Sequence, residues 1–106
     1  MTSKGSEQSG VGPVLQATPF TEAVVAAIRD ENDEVLVRDE GAYFRVLVPG
    51  VCRLSRAAVE AITGGDVQFP GDLEVVMSSF AGRMRLTDQT AVWWLAGETP
   101  PGSSSE

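Results

Sequence analysis

Few side chains in this sequence can do covalent or acid–base chemistry. There is no histidine, and Cys52 is the only cysteine. A serine or cysteine nucleophile needs a neighbouring base, most often histidine. A structural zinc site needs Cys and His in numbers that are absent here, and a lone cysteine closes no disulfide within the chain. Carboxylates are plentiful. The richest run, Asp30 to Glu40, holds six acids and one arginine, Arg38. Hard divalent cations favour such oxygens, but the run lacks EF-hand spacing. A solvated helix end and strand start is the plainer reading, and a patch that meets a basic partner is the other. No two acids can be paired across a pocket for acid–base work, and no glycine-rich phosphate loop is present. The expectation is a protein with no catalytic residue, no metal and no cofactor.

Three features could serve binding instead. Cys52 is either a reactive thiol or a buried small hydrophobe, and the second reading is favoured because only Arg53 is a sure cationic neighbour. Trp93-Trp94 ends a strand, where adjacent residues face opposite sides. One ring is therefore expected in the core, and the other is either covered or free for a partner. Ser78-Ser79-Phe80-Ala81-Gly82-Arg83 is small, glycine-containing and set between two apolar strands. It reads as a bent strand junction, with Gly82 allowing an unusual backbone angle or a bulge, and equally as a docking surface on a rigid sheet.

The elements that must carry these residues are legible from capping and periodicity. Val11 to Gln16 is a short strand, expected at a sheet edge because Pro13 cannot donate to a ladder. Thr18 caps a helix with Pro19 at its first position, and Phe20, Val24, Ala27 and Ile28 form its apolar face. It fades near Asn32. Residues 34–39 and 42–48 are strands about a turn at Glu40-Gly41, and residues 51–54 are extended after Pro49-Gly50. Ser55 caps a second helix, with Leu54 and Val59 as a hydrophobic staple, and Gly64-Gly65 ends it. Leu73 to Met77, Arg83 to Thr87 and Thr90 to Leu95 are read as strands. The pattern is α+β: strand, helix, strands, helix, strands, mostly antiparallel with two helices.

The bulk numbers set limits. The 106 residues amount to a single small domain, read as residues 11–96 between a flexible arm, 1–10, and a flexible tail, 97–106. The apolar fraction of 42% fits a globular chain. No apolar run approaches the ~18 residues that span a bilayer, and the first ten residues lack signal-peptide character. A cytoplasmic protein is expected. The formal net charge of −7 argues against nucleic acid, whose binding needs a basic surface, and against anionic membranes. A basic patch on another protein is the natural complement.

Several stretches resemble the effector (regulatory, or coupling) proteins of soluble diiron multicomponent monooxygenases, a group that includes methane monooxygenase component B and the phenol hydroxylase, toluene and alkene monooxygenase equivalents. Gly12-Pro13-Val14-Leu15 looks like that family's first strand, and residues 26–32 like the end of its first helix. Residues 70–84, PGDLEVVMSSFAGRM, carry the strongest likeness. Residues 41–46 and 52–56 are similar to the toluene-type members. The resemblance implies strands with two helices and no cofactor. It implies docking on the hydroxylase over its diiron centre, which speeds the reaction with oxygen and couples NADH use to hydroxylation or epoxidation of an aromatic or alkene hydrocarbon. It implies no direct small-molecule substrate. The docking residues it implies are Val76, Met77, Ser78, Ser79, Phe80, Ala81, Gly82 and Arg83, together with Asn32. Val76 and Phe80 depart from the methane-type pattern, which has Asn and a smaller residue there. The competing reading is a small α+β adaptor that binds a protein through an exposed strand edge.

Overall fold

Alternating apolar and polar residues build two antiparallel sheets, and side-chain caps start the two longer helices. The computed structural model describes residues 10–97, so the arm and tail expected at 1–10 and 97–106 lie outside the described residues except for Gly10 and Gly97. The order is β1 (Gly10–Gln16), α1 (Pro19–Glu31), β2 (Leu36–Asp39), β3 (Tyr43–Pro49), β4 (Val51–Ser55), α2 (Arg56–Thr63), α3 (Gly71–Val76), β5 (Met77–Ala81), β6 (Arg83–Leu86) and β7 (Thr90–Trp94). One sheet runs β2-β3-β1-β5 and the other β4-β7-β6. Val11, Leu15 and Val46 of the first sheet and Cys52, Leu54 and Trp93 of the second share one core with Val24 and Ile28 of α1.

The caps are those the sequence predicts. Thr18 Oγ1 accepts from the Thr21 N–H at 3.1 Å, and the Thr21 hydroxyl donates to the Gln16 carbonyl, tying the helix start to β1. Ser55 Oγ accepts from the Ala58 N–H at 3.1 Å, and the staple pair Leu54 and Val59 is buried. Gly64 closes α2 in the left-handed region, where its N–H meets the Glu60 carbonyl at 2.8 Å.

Two elements differ from expectation. β1 is not an edge strand: it lies between β3 and β5. Its ladder with β3 passes from Val11↔Val48 to Val14↔Arg45, leaving out Gly12 and Pro13, which pair towards β5 with Ala81 and Phe80. A local gap in one ladder, rather than an edge position, accommodates the missing proline N–H. Leu73 to Val76, read as the start of a strand, lie in a helix over Gly71–Val76, which makes three helices rather than two among the described residues. Leu73 and Val76, one turn apart, are buried while Val75 is 77% exposed. The Asp72 carboxylate accepts from the Gln68 N–H at 3.0 Å, and the Asp72 N–H donates to the Gln68 carbonyl at 2.7 Å. Asp72 and Glu74 also sit in the first turn, where carboxylates favour the positive end of the helix dipole.

The small sheet alternates cleanly. Cys52↔Trp93↔Met84 and Leu54↔Ala91↔Leu86 form rows on the core face, and Val51↔Trp94↔Arg83 and Arg53↔Val92↔Arg85 form rows on the outer face. Trp93 is fully buried, and Trp94 on the outer face is only 6% exposed. The second tryptophan is thus covered rather than free. The Arg85 guanidinium lies over its ring, 5.7 Å from the centroid, a cation–π contact.

Candidate partner-docking site

The Ser78–Arg83 segment is where the chain crosses between the sheets. β5 is the outer strand of the large sheet and β6 the outer strand of the small one, with Gly82 alone between them. Residues 77–86 therefore form one continuous edge along both sheets. Gly82 has a φ of +96°, and a Cβ there would lie 2.5 Å from the Trp94 carbonyl oxygen and 2.7 Å from Val11 Cγ1. The corner needs a positive φ and has no room for a side chain.

The bulge falls at Ser78 rather than at Gly82. Ala81, Phe80 and Ser79 pair with Gly12, Pro13 and Val14, and the next pair is Met77 with Leu15, so Ser78 is the extra residue on β5. Its hydroxyl donates to the Val14 carbonyl at 3.4 Å. Ser78, Ser79 and Phe80 are exposed, the Phe80 ring 41% so, and Met77 and Ala81 are half-buried. Arg83 is exposed at the start of β6. The structure thus brings Met77, Ser78, Ser79, Phe80, Ala81, Gly82 and Arg83 together on one edge. Val76 is buried beneath it, and the outward place is taken by Val75, a residue absent from the sequence-based set.

Asn32 is elsewhere. Its Nδ2 donates to the Ile28 carbonyl at 2.8 Å and to the Arg53 carbonyl at 2.7 Å, and its Oδ1 accepts from the Arg53 N–H at 2.9 Å. Beside it, Glu31 accepts from the Ser55 N–H at 2.8 Å and from the Ser55 hydroxyl at 2.6 Å. These two side chains clasp the end of α1 to β4, across the small sheet from β6. An open groove of about 350 Å³ lies at this end, lined by Glu31, Arg53, Leu54, Ser55, Thr90 and Val92. Sequence reasoning missed the groove, because the pairing of β4 with β7 that forms its floor is not written in either segment.

The remaining candidates carry no reactive chemistry. Cys52 is fully buried; burial, with a smaller push from the Glu31 charge, raises its thiol pKa to about 12. Such a thiol holds its proton at neutral pH. Among the described residues, no three His, Cys, Asp or Glu side chains converge on a point where a metal ion could sit, and no helix is long and apolar enough to cross a membrane.

Known proteins share this arrangement. Residues 9–94 match the MmoB/DmpM family. Over 90 residues the chain is 36% identical to the effector subunit of the alkene monooxygenase system of Xanthobacter autotrophicus strain Py2, covering 83% of this chain and 88% of that protein. A chain in the solved structure of the phenol hydroxylase–regulatory protein complex has the same fold, with a TM-score of 0.72 over 80% of this chain and 95% of that one, at 16% identity. With a family match over residues 9–94 and a relative 36% identical over 83% of its length, the chain belongs to the MmoB/DmpM family.

Proposed function

We propose that the chain is the effector subunit of a multicomponent diiron monooxygenase. It brings no catalytic residue or cofactor of its own, docks on the hydroxylase component in the cytoplasm, and couples NADH and oxygen use to hydroxylation or epoxidation of an aromatic or alkene hydrocarbon. The working unit is residues 11–96. The observation that carries the docking reading is the continuous outer edge of β5, Gly82 and β6, which exposes Ser78, Ser79, Phe80 and Arg83 on strands fixed from behind.

Rigidity is what such a surface contributes. An effector can move a hydroxylase equilibrium only by contacting one of its states better than the other, and a fixed edge makes that difference larger than a pliant loop does. Small hydroxyls at Ser78 and Ser79 allow close approach, and Phe80 supplies apolar area. Val76 and Asn32 support the edge and the small sheet from within.

The test is reconstitution. Product formation and NADH consumption are measured with the hydroxylase and its electron-transfer partners, with and without the chain. A saturable rise in product per NADH is expected. No change, with an active hydroxylase and folded chain, refutes the effector reading and leaves the strand-edge adaptor.

A further inference from the structure

The outer face of the small sheet has a charge opposite to that of the whole chain. Arg53, Arg83 and Arg85 all project from it, because directly opposed residues in an antiparallel ladder share a face. The other residues on that face are Val51, Ser55, Thr90, Val92 and Trp94, so it carries three cations and no acid. Neither Arg53 nor Arg83 has an ion-pair partner among the described residues, whereas Arg45 and Arg56 face Glu40 and Glu60. Glu31, which lines the groove together with Arg53, is already engaged by both donors of Ser55. Beside Arg53 lies the groove floored by Val92 and Thr90, and at the opposite side Arg83 continues directly from the Gly82 corner.

From this we infer that the docking surface extends past the β5–β6 edge over the outer face of the small sheet, where Arg53 and Arg85 receive a carboxylate-bearing segment of the hydroxylase. The inference rests on the effector reading and adds the chemistry of the contact. A chain of net charge −7 gains little by holding three like charges together in isolation. Opposite an acidic segment they become attractive, and they fix the orientation in which the two proteins meet. The arginine fork suits carboxylates, which it can bind through two parallel hydrogen bonds.

The experiment compares the intact chain with an Arg53→Gln/Arg85→Gln variant, leaving Arg83 in place. An Arg29→Gln/Arg45→Gln variant removes the same charge elsewhere. Affinity for the hydroxylase is measured at low and at high salt. The first variant is expected to bind about 10-fold more weakly at low salt, with the difference shrinking at high salt as screening removes the attraction, and the second is expected to bind as the unaltered chain does. Because Arg85 also covers Trp94, the single Arg53→Gln variant is run beside the double and should show part of the loss. Equal binding by all variants overturns the inference, as does an equal loss in both double variants. An effect seen only in pairing between copies of this chain overturns it too, since the acidic run at Asp30–Glu40 would then be the occupant. If the unaltered chain fails to bind the hydroxylase at all, the effector reading itself is overturned, before any variant is compared.

Discussion

Replacing Gly82 with alanine tests the corner on which the continuous β5–β6 edge depends. The backbone there has a φ of +96°, and the new Cβ would meet the Trp94 carbonyl oxygen at 2.5 Å and Val11 Cγ1 at 2.7 Å. The positive φ alone costs an L residue roughly 1–2 kcal/mol. Pushing a methyl into filled space adds about 1–3 kcal/mol, and here one of the two obstacles is backbone, which cannot rotate away. The sum is roughly 2–5 kcal/mol against a total stability of about 5–15 kcal/mol for an ordinary domain. At about 4–8 °C per kcal/mol in a domain this size, the midpoint of thermal unfolding falls by roughly 8–40 °C. Gly50 is the reference, because its φ is +80° and a Cβ there would touch nothing within 4 Å. Gly50→Ala keeps the backbone cost and lacks the clash, so it should lose only about 1–2 kcal/mol. Both are measured by urea unfolding followed by circular dichroism. Equal losses in the two variants would refute the claim that contact with β1 and β7 holds the corner.

Three further outcomes follow from particular contacts. Asn32→Ala removes two hydrogen bonds between the end of α1 and β4 and a third back to the Ile28 carbonyl within α1; a loss of about 2–3 kcal/mol is expected in urea unfolding, with stimulation of turnover intact at saturating, folded effector. Ser79→Trp should leave the melting curve unchanged, since Ser79 is exposed, and cut stimulation of the hydroxylase several-fold; full stimulation removes this residue from the contact. The Cys52 thiol should resist alkylation at pH 8 until the chain is unfolded. Its pKa is raised from 9.0 to about 12 in the fold, so between those values the unfolded chain has lost a proton that the folded chain keeps. Stability therefore falls as pH rises through this window, by up to about 1.4 kcal/mol per pH unit, and a Cys52→Ala chain should show a shallower fall over the same range.

What the sequence made legible was local. Thr18-Pro19 and Leu54-Ser55 announce helix starts because a cap is a contact between residues three apart. What stayed hidden depends on partners distant in sequence. Pro13 signals an edge only if its strand must pair regularly on both sides, and the gap opposite β3 removes that condition. The run Leu73-Glu74-Val75-Val76-Met77 holds too many apolar residues for its period to be visible, so the buried spacing of Leu73 and Val76 emerged only in the fold. The bulge at Ser78 is a mismatch between two strands and cannot be read from either. The resemblance puts Asn32 among the docking residues, yet in the fold its amide bonds the Arg53 backbone twice and the Ile28 carbonyl once, contacts that no segment shows by itself.

The position of β1 also bears on how the molecule is made. β1 precedes the other six described strands in the chain, yet it is an interior strand of the large sheet, and the partner on one of its sides arrives late: Ser78 meets Val14 across 64 residues. Until β5 emerges, β1 can pair only with β3, and the small sheet cannot form before β6 and β7 reach β4. Neither sheet is complete until the segment from Met77 to Trp94 has been synthesised. Such high contact order slows folding, and it means that nascent chains halted before this segment cannot present the β5–β6 edge. That exposed edge is thereby reserved for chains in which β6 and β7 have been made.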